Sequence, residues 1–136
     1  MAEMQKIYKC EICGNIVDVL HAGAGALVCC GQSMNMLDEN ITDAAVEKHI
    51  PIVEDLPGTE CQVKDGVIVK VGEVDHPMTE DHFIEWIEIE TEGGKKGRKF
   101  LQPGDEPKAV FYTRKKVVKV VAYCNLHGLW VNNLEK

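Results

Sequence analysis

Four of the chain's six cysteines fall within its first 30 residues, as Cys10-Glu-Ile-Cys13 and the adjacent pair Cys29-Cys30. This segment is Gly-rich (Gly14, Gly23, Gly25, Gly31) and poor in large apolar residues. So short a stretch cannot bury enough surface to fold unaided. A bound metal supplies the missing stability, and two cysteine pairs complete a tetrahedral set of thiolates. A structural zinc ribbon competes on ligand type alone. Zinc ribbons, however, usually repeat the Cys-x-x-Cys spacing, whereas here the second pair is adjacent and constrains the sulfur–metal–sulfur angle. Disulfides are the other use of clustered cysteines. The opening MAEMQKIYKC has no apolar run of the kind an export signal needs, so metal chemistry and a cytoplasmic location are the expectation.

The cysteine-rich segment is expected to end near 37–38, where MNML gives way to the more polar DENITD. That sets two domains, 1–37 and 38–136. Beyond the boundary the pattern is β. Strands are expected at 52–54, 61–64, 67–74, 83–91, 110–113 and 117–123, with loops at 92–97 and at QPGDEP, 102–107. Short strands separated by turns, without a long amphipathic helix, predict a β-sandwich. No apolar run approaches the roughly 20 residues that span a bilayer. The net charge of −7 speaks against non-specific nucleic-acid binding, since phosphates demand a basic face. A small anionic substrate stays open, because a local cation or metal overrides the global field.

The chain has five histidines. Four stand in suggestive contexts: His49 in EKHIP, His76 in VDHPM, His82 in EDHFIEW and His127 in CNLHG, three residues after Cys124. Taken singly, each is more readily a surface or core histidine. Together they make a different case. Imidazole suits iron, zinc or copper, and a thiolate adds a soft, electron-donating ligand. Four imidazoles and one thiolate leave one position open on a six-coordinate metal, the mark of a catalytic site. His21 and Cys61 fit neither set and read as a surface residue and a free thiol.

The Cys10–Cys30 arrangement resembles the desulforedoxin centre, a mononuclear iron with four cysteine ligands. The segments YKCEICGNIVDVLHAG, LVCCG, EKHIP, VGEVDHPMTEDHFIEWIE, FLQPGDEPKAVF and YCNLHGLW together resemble desulfoferrodoxin, the two-iron, two-domain class of superoxide reductase. The resemblance runs over residues 7–130. It implies an immunoglobulin-like antiparallel β-sandwich for the second domain and a homodimer. It implies two mononuclear non-haem irons, one on Cys10, Cys13, Cys29 and Cys30. The other takes His49, His76, His82 and His127 as equatorial ligands and Cys124 as the axial one. It singles out Glu47 and Lys48 beside the open position; without the adjacent His49, a solvated charged pair before a strand would be the better reading of those two residues. It also implies the reaction, superoxide plus one electron and two protons giving hydrogen peroxide in oxidative-stress defence, and a rubredoxin-like electron donor. Two departures stand out. The stretch from His49 to His76 is longer than usual, with LPGTECQVKDG in its middle, and Leu129 stands where the family often has another histidine. The competing readings are a non-enzymatic two-iron electron carrier and a zinc-stabilised binding module.

Overall fold

A computed structural model describes residues 6–40, 50–56, 66–72 and 76–134. The chain divides into two compact units, Met1–Asp38 and Glu39–Lys136. Among the described residues every regular element is a strand. The expected class therefore holds: a mostly β chain with a four-cysteine N-terminal part and a separate β-sandwich.

The first unit has five strands of two or three residues: β1 (Ile7–Lys9), β2 (Ile16–Asp18), β3 (Val28–Cys29), β4 (Gln32–Ser33) and β5 (Asn35–Met36). They form an antiparallel sheet in the order β2-β1-β5 and a separate β3–β4 hairpin. The buried side chains here are few, namely Tyr8, Cys10 and Val19. Ile12, Val28 and Leu20 stay exposed. So small a core leaves the cysteines as the main candidates for holding the unit together.

The second unit contains β6 (Glu39–Asn40), β7 (Pro51–Asp55), β8 (Gly66–Val71), β9 (Ile84–Thr91), β10 (Lys96–Phe100), β11 (Lys108–Tyr112), β12 (Val117–Cys124) and β13 (Gly128–Asn133). One sheet runs β10-β9-β12-β13-β6 and the other β11-β8-β7. All pairings are antiparallel except β13 with β6. The core joins Val67, Val69 and Val71 of β8 and Ala109 of β11 to Ile87, Ile89, Val120 and Ala122 of β9 and β12. These residues recur at every second position, which is the period that turns one face of a strand inward. Each large apolar side chain so buried contributes about 1.5–3 kcal/mol. The core cluster also takes in Ile84 and Cys124, at the ends of β9 and β12. The best-packed part of the sandwich therefore runs up to the second group of candidate ligands.

Two strand expectations need correction. Residues 92–97 were expected to be loop throughout, but Lys96 and Gly97 already belong to β10. The KGRKF sequence is too charged to read as a strand. It pairs because Lys96 and Arg98 stand directly opposite Glu90 and Glu88, and opposite charges across a ladder are stabilising. Arg98 also lies over the Trp86 ring, 5.0 Å from its centroid. The second miss is β13, for which no strand was expected, although GLWVNN pairs along β12 for six residues. The strand expected at 61–64 lies outside the described residues, as does the end of the one expected at 67–74.

Candidate metal centres

The first centre is built on two tight turns. After β1, the Gly14 N–H donates to the Cys10 carbonyl (2.9 Å) and the Cys10 N–H to the Asn15 carbonyl (2.8 Å). This closes a knuckle that turns Cys10 and Cys13 to one side. The β3–β4 hairpin supplies the other pair through a two-residue turn, Cys30-Gly31, with φ of +53° and +77°. Positive φ at both central residues defines the turn that best suits a twisted hairpin. Gly31 adopts it freely, whereas Cys30 is held in a region that side chains rarely enter. Adjacent cysteines in an extended strand point to opposite faces. The turn is what brings both thiols to the same place.

The four sulfurs lie within 4.8 Å of one another. Cys13 Sγ is 3.5 Å from Cys29 Sγ, and Cys29 Sγ is 3.9 Å from Cys30 Sγ. A tetrahedron with metal–sulfur bonds of about 2.3 Å has edges of about 3.8 Å, so these two pairs are already at metal-binding separations. None of the described cysteines is in a disulfide. The thiols are electrostatically unequal. The Cys13 backbone N–H leads the effects that lower Cys10 to about 6. The side chain of Cys13, and then those of Cys29 and Cys10, push Cys30 up to about 12, and the side chains of Cys13 and then Cys10 raise Cys29 above the ordinary thiol value. Without a cation, Cys10 carries the charge while Cys29 and Cys30 keep their protons. A divalent or trivalent metal replaces those protons.

The second centre gathers residues from two well-separated stretches of the sandwich unit's sequence. His76, His82, Cys124 and His127 each offer a ligand atom within 4.8 Å of all the others. His76 and His82 come from the segment before β9, Cys124 ends β12, and His127 lies in the turn to β13. Cys124 is fully buried and His76 nearly so. The rings of His76 and His82 meet edge to face at 4.8 Å, and those of His82 and His127 at 4.9 Å, with interplanar angles of 83° and 80°. Cys124 Sγ is 3.8 Å from His127 Nδ1.

Neighbouring groups orient each ligand. His76 Nδ1 lies 2.8 Å from the Pro77 carbonyl. The imidazole N–H therefore donates there, which leaves the lone pair on the buried Nε2. Thr79 and His82 exchange backbone hydrogen bonds, and the Thr79 hydroxyl donates to the His82 carbonyl at 3.2 Å. The Trp130 indole N–H donates to the His127 carbonyl at 3.1 Å. Gly128, with φ of +88°, lets the chain reverse into β13 immediately after His127. Thr79, Trp130 and Asn125, which ties the Cys124 turn to the His82 segment, were not singled out in the sequence. Their partners are backbone groups, close along the chain for Thr79 and Trp130 and in another segment for Asn125, and carry no side-chain pattern.

The donor sets suit metals. Four thiolates make a closed tetrahedral site, and imidazoles with a thiolate on a mostly buried wall make a site for a borderline transition ion. His49, Glu47, Lys48 and Cys61 lie outside the described residues. His21 is exposed, as expected.

Comparison with known proteins matches the desulfoferrodoxin family over residues 41–133 and the desulfoferrodoxin N-terminal domain over residues 2–37. The chain is 57% identical over 130 residues to a desulfoferrodoxin of Syntrophotalea carbinolica, covering 96% of this chain and 97% of the relative. It is 51% identical over 130 residues to a desulfoferrodoxin homolog of Archaeoglobus fulgidus, covering 96% and 98%. Among solved structures, the superoxide reductase of Treponema pallidum superposes with a TM-score of 0.74 at 27% identity, covering 94% of this chain and 97% of that one. The one-iron superoxide reductase of Giardia intestinalis gives a TM-score of 0.52 at 36% identity, covering 66% and 99%.

Proposed function

The chain belongs to the desulfoferrodoxin family, and from that membership we propose that it is a superoxide reductase, converting superoxide to hydrogen peroxide by a one-electron reduction. The observation that carries the proposal is the convergence of His76, His82, Cys124 and His127 within 4.8 Å. A structural or purely electron-carrying centre needs no such mixed set. In this reading His49 adds the fourth imidazole, and five protein donors leave an octahedral ion one position for substrate. Residues 1–37 form the desulforedoxin-like domain with iron on Cys10, Cys13, Cys29 and Cys30, and residues 38–136 form the reductase domain. The relatives named superoxide reductase support the reaction class.

Ferrous iron held by His76, His82, Cys124 and His127 would supply the single electron that, with two protons, turns superoxide into hydrogen peroxide. The protein's part is electrostatic and steric. The thiolate of Cys124, buried against Ile84 and Ala122, gives electron density from a dry environment where its charge is weakly screened. The histidines are held in place by the Pro77 carbonyl, the Thr79 hydroxyl and the Trp130 indole N–H. Lys48 attracts the anionic substrate into an otherwise acidic protein and orders a water that gives up a proton. Glu47 guards the open side between turnovers. A metal on Cys10, Cys13, Cys29 and Cys30 would have all its positions filled by thiolates, and would serve to relay electrons from a rubredoxin-like donor. A cytoplasmic homodimer belongs to the same reading.

Pulse radiolysis of the anaerobic, chemically reduced protein tests this. Superoxide is expected to oxidise the second centre in a bimolecular step, and azide or cyanide to bind that centre and perturb its spectrum. Oxidation without any response to azide, cyanide or nitric oxide indicates a closed electron carrier and contradicts the proposal.

A further inference from the structure

We infer that Asn125 is the positioning residue that sets the distance between the two ligand-bearing segments of the second centre. The inference rests on the metal-site reading above and assigns a role to a side chain that is not itself a ligand.

The starting point is the end of the β9–β12 ladder. Pairing is regular from Lys119↔Glu90 to Tyr123↔Trp86 and then shifts, so that Cys124 pairs with Ile84 and Glu85 is left as the extra residue. Beyond Cys124 the chain must leave the ladder, because His127 has to return to within 3.8 Å of the Cys124 sulfur. A chain that turns away takes its main-chain carbonyl out of register with the facing segment. The side chain of Asn125 fills that gap. Its backbone N–H still donates to the Phe83 carbonyl (3.2 Å). Its Oδ1 accepts the Phe83 N–H (3.0 Å), and its Nδ2 donates to the Asp81 carbonyl (3.0 Å).

Asp81 and Phe83 are the two neighbours of His82. Three hydrogen bonds therefore grip the backbone on both sides of one ligand, and all come from the residue next to another. The side-chain amide acts as a spare peptide group, offering one donor and one acceptor at peptide spacing. A carboxylate retains the acceptor only. Groups of this kind typically alter metal affinity by about 10–100-fold when removed.

The test compares Asn125→Ala and Asn125→Asp with the parent, all iron-loaded. Two quantities are read: the sulfur-to-iron charge-transfer band of the oxidised second centre, and the rate at which a chelator removes metal from it. For Asn125→Ala we expect metal loss about 10-fold faster or more and a shifted band, with the spectrum of the four-cysteine centre unchanged. Asn125→Asp keeps the acceptor for the Phe83 N–H, so its band should stay near the parent's while metal loss falls between the other two.

A folded Asn125→Ala with the parent's band and metal loss within about twofold of the parent overturns the inference, on the scale expected of such groups. So does an Asn125→Asp indistinguishable from Asn125→Ala. A merely structural role lowers Tm in both variants without moving the band, which also overturns it. If Asn125→Ala does not fold, Asn125→Asp decides alone: faster metal loss with an unmoved band and the parent's Tm supports the inference, while parent-like metal loss, or faster loss that accompanies a lowered Tm, refutes it. A parent protein lacking any sulfur-to-iron band refutes the proposed function instead. Retention of whichever metal fills the site still reads Asn125, so the two failures are told apart.

Discussion

Replacing Cys124 by serine separates the two things this residue does. Cys124 is fully buried and packs in the apolar cluster with Ile84, Ala122 and Val120, so its thiol is also a small core side chain. Serine is nearly isosteric but brings a hydroxyl into that cluster, at a cost of about 1–3 kcal/mol in protein mutational terms. For a domain of this size each kcal/mol moves Tm by about 4–8 °C. A mid-range 2 kcal/mol therefore lowers the Tm of the metal-free sandwich by about 8–16 °C. In the iron-loaded, oxidised protein the same change removes the sulfur donor, so the visible charge-transfer band of the second centre disappears. That of the four-cysteine centre remains. Some iron is retained, because His76, His82 and His127 still converge. The assays are thermal unfolding of the apo-protein by circular dichroism and the optical spectrum of the oxidised holo-protein. Cys61→Ser is the matched control and leaves the band in place. The reasoning is refuted if Cys124→Ser preserves the band, or if Cys61→Ser erases it.

Three further outcomes follow from the same account. Cys13→Ser should abolish the four-cysteine chromophore while superoxide reduction by chemically reduced protein survives, and loss of iron from both sites contradicts the independence of the two ligand sets. Lys48→Ile should slow the encounter with superoxide and flatten its dependence on ionic strength, and an unchanged bimolecular rate across salt concentrations returns Lys48 to a solvated surface role. Loading the apo four-cysteine site at pH 7 should release at least two protons per metal, because Cys29 and Cys30 are raised and protonated while Cys10, lowered to about 6, is already a thiolate. Metal affinity should fall as pH falls, most steeply once Cys10 also protonates below about 6. Pipetting metal into weakly buffered apo-protein with an indicator dye measures the release, and a metal uptake without it contradicts the assignment.

The sequence spoke most clearly where chemistry forces residue identity. Cysteine and histidine are costly to place in groups for any other reason, so the four-cysteine set and the Cys124–His127 step were legible before any fold was known. Strands with inward Val at every second position, such as β8, were also readable. What escaped notice depends on partners far along the chain. β10 reads as a charged loop until Glu88 and Glu90 are placed opposite Arg98 and Lys96. β13 has only a short apolar stretch of its own and becomes a strand by pairing along β12. The turn at Cys30-Gly31 explains why the second cysteine pair is adjacent, but the spacing alone does not reveal the positive φ that makes it work. Asn125 bonds to residues more than 40 positions away, a relation that no local pattern records.

The product balance of the reduced protein tests the central claim most directly. Known pulses of superoxide are given to anaerobic protein with excess reductant, and hydrogen peroxide and dioxygen are quantified together. The account predicts one hydrogen peroxide for each superoxide consumed and no dioxygen. Dioxygen appearing alongside hydrogen peroxide in equal amounts would mean dismutation rather than reduction, and would contradict it.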